Sequence, residues 1–214
     1  MILDLKTITT AERQQWLQMA IAPRPIALAS TISQKGVVNL APFSFFNIFS
    51  VDPPILIFSP ALRVRDNSRK HTLNNISEVA EVVIHIVDEA ILDRVNQCGA
   101  DYPEETDELN AVGFTAQPST VVRPPRVKES KIQLECSVQQ VISLGSNGGA
   151  GQLIVAEMLV MHIDESILND QGKMDYQQFK PVARLGGDWY CTIKENNLFQ
   201  LPKPTHLFYN KEPV

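Results

Sequence analysis

The sequence predicts a mainly β protein, an antiparallel barrel decorated by a few short helices. Three observations carry that expectation. Apolar, β-rich runs of strand length recur at Ile26–Ile32, Ile55–Ser59, Val82–Val87, Ile132–Leu144 and Gly151–Ile163. The last two are joined by the turn GSNGGAG at 145–151, which reads as a hairpin connection. The strands also follow one another as meanders and hairpins, without the regular strand–helix alternation of a βαβ nucleotide fold.

In chain order, Thr9 and Glu12 stand at capping-box spacing and open a short helix to Ala20, which Pro23 and Pro25 keep from continuing. Strand Ile26–Ile32 ends in a turn at Ser33–Gly36. Val37–Ser50 mixes polar and aromatic residues and is punctuated by Asp52, Pro53 and Pro54. Strand Ile55–Ser59 leads to a basic loop at Arg63–Lys70, a helix over Thr72–Glu78 and strand Val82–Val87. A second helix is expected over Glu89–Cys98, with Ile91, Leu92 and Val95 on one face. Ala100–Pro125 is rich in Pro, Glu, Asp and Thr. It reads as a long excursion with a helical piece near Glu104–Ala111, and such loops are often functional. Residues 1–214 are expected to form one domain, with a core over about 20–192 and a tail over 193–214.

Apolar residues make up 44% of the 214 residues and the net charge is −5, so a globular protein is expected and there is no basic surplus for a nucleic-acid backbone. The N-terminus MILDLKTITT lacks the basic and long apolar stretches of a signal peptide, and no apolar run is long enough to span a membrane. A cytoplasmic protein with no membrane partner is the default expectation. Cys98, Cys136 and Cys191 are odd in number and widely spaced, and are expected to be buried free thiols. His71, His85, His162 and His206 show no ligand spacing, so no metal site is expected. His85 and His162, within apolar strands, read as packing or hydrogen-bonding residues. The carboxylates Glu104, Glu105, Asp107 and Glu108 read as a solvated face. The glycines at 145–151 look like a phosphate cradle at first sight, but strand-like residues lie on both sides and a dinucleotide loop needs a helix after it. No GxSxG or similar arrangement supplies a nucleophile, and no catalytic side chain is assigned. That absence is informative where a cofactor does the chemistry.

Two segments stand out. Asn39–Pro54, NLAPFSFFNIFSVDPP, sets Phe43, Phe45, Phe46 and Phe49 among Ser44, Asn47 and Ser50. It suits either a kinked core strand or the wall of a pocket for a flat heteroaromatic ring, with short polar groups at the ring edge. Arg63–Ile76, RVRDNSRKHTLNNI, brings Arg65, Ser68, Arg69, Lys70 and Thr72 to the start of a helix. It suits either a phosphate monoester or an exposed helix start capped by Ser68 or Thr72.

Taken together, PRPIALAST, APFSFFNIFSVDPP, SRKHTLNNI, VRPPRVKESKIQLEC and RLGGDWY, in that order from about Pro23 to Tyr190, resemble the flavin reductase-like family of FMN-binding split barrels. The resemblance implies a six-stranded Greek-key split β-barrel, a homodimer and FMN near the subunit interface, with FAD or an exchangeable flavin as alternatives. It implies that Ser44, Phe45, Phe46 and Asn47 line the flavin ring and that Ser68, Lys70 and Thr72 hold its phosphate. Thr31 and Asn39 would lie near the ring or ribityl chain, and Arg184, Gly186 and Trp189 would close the site from the C-terminal side. His71 is a departure, since members often carry Asp there. The implied reaction is hydride transfer from NADH or NADPH to the flavin, in a flavin reductase or a monooxygenase's reductase component. The alternatives are a flavin-binding or electron-transfer protein without turnover, and FMN held for another small-molecule oxidoreduction.

Overall fold

In the computed structural model, residues 1–203 are described; positions 204–214, His206 among them, lie outside the described residues. The first element is α1 (Thr10–Ala20). Thr9 Oγ1 accepts the Glu12 backbone N–H at 3.2 Å and the Glu12 carboxylate accepts the Thr9 N–H at 3.0 Å, which completes the capping box that the spacing predicts. Next come β1 (Arg24–Pro25), β2 (Ala27–Ile32), β3 (Val38–Phe43), β4 (Phe46–Val51) and β5 (Pro54–Phe58). After the basic loop come α2 (His71–Glu78), β6 (Glu81–Ile86), α3 (Leu92–Gln97) and α4 (Glu108–Ala111). The excursion that holds α4 also forms a two-stranded ribbon, β7 (Ala116–Gln117) with β8 (Arg126–Val127). The long hairpin is β9 (Ile132–Ser143) and β10 (Gln152–Ile163), and β11 (Val182–Arg184) and β12 (Tyr190–Thr192) follow.

The main sheet is antiparallel throughout and runs β3-β2-β6-β9-β10-β5-β4, seven strands in all. A smaller sheet orders β1-β11-β12. The mainly β split-barrel class is therefore the one the sequence predicts, with β4 lengthening the edge.

β2 is buried along nearly its whole length because both its faces are covered. Ala27 and Ala29 point into a core with Phe58, Leu73, Ile76, Ile84, Leu134 and Ile154, where α2 plugs the sheet. Ile26 and Leu28 point the other way, into a second core with Val87, Ile91, Val95, Leu109, Phe114 and Val127 under α3 and α4. The two-residue alternation of a strand produces this division. His85 joins the layers: it is fully buried, its Nδ1 hydrogen-bonds Leu28 O at 2.9 Å and its Nε2 accepts the Val127 N–H at 2.9 Å. Glu135, also fully buried, accepts the Thr120 and Val121 N–H groups at 2.7 Å each and contacts His162 Nε2 at 2.7 Å. The VRPPRVKESKIQLEC motif thus straps the excursion to the sheet.

Three expectations need correction. Val37–Ser50 is not one kinked core strand: β3 is largely buried, whereas β4 is mostly exposed at the sheet edge. Cys98 and Cys136 are buried, but Cys191 is exposed, because β12 is an edge strand of the small sheet. Glu108 is 4% exposed and does not belong to a solvated face. No helix among the described residues is long and apolar enough to cross a membrane.

Candidate functional site

A cavity of about 760 Å³ opens between α1, the Pro42–Phe45 corner where β3 passes to β4, the segment after β5, and the glycine turn of the long hairpin. That volume falls in the range of small-molecule sites. The corner and the segment after β5 are tied together, since the Ser59 N–H donates to Phe45 O at 2.9 Å. Ser59 lines the cavity, and its Oγ is buried without a hydrogen-bond partner among the described residues. A buried hydroxyl left in this condition costs free energy that a ligand's polar atom recovers.

The glycine turn is a hairpin, as predicted, and it is also a wall of the cavity. It docks on the basic loop: Leu62 N–H donates to Ala150 O at 3.0 Å, Gly149 N–H to Leu62 O at 2.9 Å and Gly148 N–H to Asn67 Oδ1 at 2.5 Å. A Cβ on Gly148 would meet Val64 Cα at 2.7 Å and Arg63 O at 2.9 Å, so this close approach requires glycine.

One end of the cavity is cationic. Its lining carries Arg13, Arg63, Arg65 and Lys70 against a single carboxylate, Asp101, in a chain whose net charge is −5. Asp101 pairs with Arg65 at 2.6 Å and Arg63 at 3.5 Å. Arg63 also donates to Arg69 O, and Arg13 is engaged by Leu5 O and Ile8 O. Lys70 differs from these. Its Nζ lies 5.5 Å from the Phe43 ring centroid, and this ammonium makes no hydrogen bond or ion pair among the described residues. Burial lowers its pKa and the Arg63 charge adds to that, against Asp101 and Glu108. An incoming anion relieves both strains.

A smaller chamber of about 50 Å³ adjoins this end and shares Pro42, Arg63, Lys70 and Asp101 with the larger cavity. Asn39, Thr72, His71 and Glu108 line it. With its amide nitrogen turned to Glu108, Asn39 donates to Glu108 Oε1 at 3.1 Å and accepts from Thr72 Oγ1 at 2.9 Å. Thr72 is fully buried, and the N-cap of α2 is Lys70, with no side-chain capping bond, so neither Ser68 nor Thr72 caps it.

The structure therefore brings together Ser44, Phe45 and Lys70 on the larger cavity and Asn39, Lys70 and Thr72 on the smaller. Thr31, paired with Asn39 across β2 and β3, is fully buried and accepts from Asn75 Nδ2 at 3.3 Å. Phe46 packs on the barrel core, Asn47 is exposed and accepts the Ile48 N–H, and Ser68 lies exposed beside Arg63. Arg184 bonds to Tyr190 Oη and Gly187 O, and Trp189 is 75% exposed. Gly186 lies against Met19 of α1, where a Cβ would collide. This turn reaches the cavity wall through Arg24. That buried guanidinium donates to Leu185 O at 2.9 Å, to Gln18 O and Ile21 O at 2.5 and 2.6 Å, and to Ser44 Oγ at 3.4 Å. The sequence reading passed over Arg24, Ser59, Arg63, Asp101 and Glu108. For Arg63 a signal existed in the basic segment itself.

Comparison with known proteins identifies the family and the fold. The model of the flavin reductase like domain matches residues 19–179. An uncharacterised protein of Halalkalibacterium halodurans is 37% identical over 207 residues, 96% of this chain and 97% of the relative. Among solved structures, nitrilotriacetate monooxygenase component B from Bacillus cereus superposes with a TM-score of 0.86 at 30% identity, covering 94% of this chain and 98% of that one. The 2-nitrobenzoate 2-nitroreductase of Pseudomonas fluorescens superposes with a TM-score of 0.84 at 29% identity, covering 97% and 98%.

Proposed function

This chain belongs to the flavin reductase-like family, and from that premise we propose that it is an FMN-binding oxidoreductase. It passes a hydride from NADH or NADPH to its flavin, as a flavin reductase or the reductase component of a monooxygenase. The observation that carries this reading is the cavity itself: its lining combines the aromatic and hydroxyl groups of Phe43, Ser44 and Phe45 with a cationic set that includes Lys70, whose ammonium has no hydrogen-bond or ion-pair partner among the described residues. A flavin mononucleotide has matching parts, a flat ring and a phosphate. The residues fit the group, since Ser59, a residue of the cavity wall, has a buried hydroxyl without a partner among the described residues.

In this reading Lys70 and Arg63 hold the phosphate, with Ser68 beside them and Asn39 and Thr72 bracing the end from the smaller chamber. Ser44, Phe45 and Ser59 present hydrogen-bonding and apolar contacts to the ring, Phe46 backs that wall from the barrel core, and Asn47 lies beyond it on exposed β4. Thr31 fixes α2 through Asn75. Arg184, Gly186 and Trp189 close the α1 side through the turn that Arg24 anchors. A bound flavin supplies the redox chemistry, taking a hydride and passing electrons onward. The protein orients the partners and excludes water, which accounts for the lack of an assigned acid, base or nucleophile.

A second copy of the chain completes the proposal. Ile48, Phe49 and Val51 are large exposed apolar residues close together on β4, at the open edge of the main sheet. A contiguous apolar patch of this kind suits an interface, and in this reading a second copy covers it. Light scattering is expected to show a homodimer, and a stable monomer with full flavin occupancy refutes that part. The visible spectrum of the purified protein is expected to show flavin bands. Mixing with NADH and with NADPH in stopped flow is expected to bleach them rapidly with at least one donor. Bound flavin that neither donor bleaches refutes the reductase reading and leaves a flavin carrier.

A further inference from the structure

We propose that Glu108 is a positioning residue that takes up a proton when a phosphate-bearing flavin enters the cationic end, so that FMN and a proton bind together. The proposal rests on the placement of the phosphate at Lys70 given above.

Glu108 opens α4 yet is almost wholly buried. Its carboxylate accepts the Leu40 N–H at 3.0 Å and the Asn39 amide at 3.1 Å. The one basic side chain within ion-pair distance among the described residues is His71, whose Nδ1 lies 3.9 Å away and which is a charged partner only when protonated. Lys70 and Arg63 act on it from the basic loop, Asp107 from the residue before it, and the Cys98 thiol and Asp101 from the end of α3 and beyond. Glu108, His71, Lys70 and Asp101 line the same small chamber, which adjoins the cationic end.

A phosphate dianion at Lys70 acts on Glu108 in two ways. It repels a second negative charge across a poorly screened space. It also engages the charges of Lys70 and Arg63, which otherwise favour the ionised carboxylate. Both effects favour the protonated acid, whose O–H still leaves a carbonyl oxygen to accept the Leu40 N–H. Burial already pushes Glu108 up to about 7, so at neutral pH a substantial fraction is ionised and free to take the proton.

The test uses the full-length protein freed of flavin. Calorimetric titration with FMN at pH 8, in two buffers of different ionisation heat, counts the protons taken up. Wild type is expected to take up a fraction of a proton approaching one, and its FMN Kd to rise by up to about tenfold per pH unit between pH 7.5 and 9. The FMN phosphate is already a dianion in that range, its second pKa being about 6, so the ligand does not supply the slope. Glu108→Gln keeps an acceptor for Leu40 and is expected to abolish uptake, flatten the profile and bind FMN more tightly than wild type at pH 9. Riboflavin is expected to show no uptake with either protein. Wild type that takes up no proton overturns the proposal even if the variant does not fold. Uptake that persists in Glu108→Gln and vanishes in His71→Asn also overturns it, and assigns the proton to His71. Titrations of Lys70→Ala keep the two readings apart. If that variant discriminates FMN from riboflavin as well as wild type does, the phosphate placement has failed. If it discriminates less while Glu108→Gln still takes up the proton, only the proposal has failed.

Discussion

Lys70→Ala isolates the phosphate, because riboflavin offers the same ring without it. The Lys70 ammonium is partly buried against Phe43 and pairs with no carboxylate among the described residues. Arg63 and Arg65 already pair with Asp101 and are unchanged in the variant, so the substitution removes the Lys70 charge alone. A hydrogen bond to a charged group is worth about 1.5–3 kcal/mol, so the variant is expected to lose about one to two decades of FMN affinity. Loss of the Lys70–Phe43 contact disturbs the cavity wall as well, but that cost falls on both flavins and cancels in their ratio. Fluorescence titration of each flavin against each protein yields four dissociation constants. The FMN-to-riboflavin preference is expected to fall by the same one to two decades, on the order of the single charged bond removed. Raised ionic strength is expected to weaken FMN more than riboflavin in wild type, since salt screens an accessible ion pair. Equal weakening of both flavins by Lys70→Ala refutes the reasoning and makes Lys70 a support for the ring or the fold.

Three further outcomes are expected. Gly148→Ala forces a Cβ to within 2.7 Å of Val64 Cα, and a backbone atom cannot step aside. The variant is expected to lose about 1–3 kcal/mol in urea unfolding and to bind flavin less tightly; an unchanged midpoint with unchanged affinity counts against the docked turn. His85 is held neutral by burial, its pKa lowered from 6.5 to about 4. The stability that this neutral imidazole contributes is present above pH 6.5 and is lost as pH falls through about 4, about 3 kcal/mol in all; a proton-NMR titration that places His85 near its ordinary value refutes the account. Glu108 has the opposite sign. Its pKa is raised from 4.5 to about 7, so its full contribution is present below pH 4.5 and is lost as pH rises through about 7. Glu108→Gln is therefore expected to exceed wild type by about 2–3 kcal/mol at pH 8 and to match it near pH 4, and equal stability of the two proteins at pH 8 counts against a buried, costly carboxylate.

Much of the fold was legible in local pattern. The capping box at Thr9 and Glu12, the turn at Ser33–Gly36 and the long hairpin all appear where spacing predicts them, because each depends on residues close in sequence. The aromatic run Asn39–Pro54 was harder. Its composition suits a core strand, but the chain turns at Ser44–Phe45 and sends β4 to the sheet edge. Which half of an apolar run is covered depends on neighbours that local pattern does not contain.

The site divides along the same line. Ser44, Phe45 and Lys70 were readable because each sits in a segment whose composition was unusual on its own. Glu108 was not readable, since it belongs to a run of four carboxylates of which such runs normally make a solvated face. What separates it from Glu104 and Glu105 is the Leu40 N–H of β3, 68 positions away in the chain, waiting for an acceptor. The glycine turn shows the complementary case. A hairpin explains its glycines without any ligand, and the hairpin is real. Yet Gly148 is needed because the turn rests on the basic loop at Arg63, Val64 and Asn67, where it lines the cavity. A residue whose local role is already satisfied gives no sequence signal of a second one; only the docking of two distant loops reveals it.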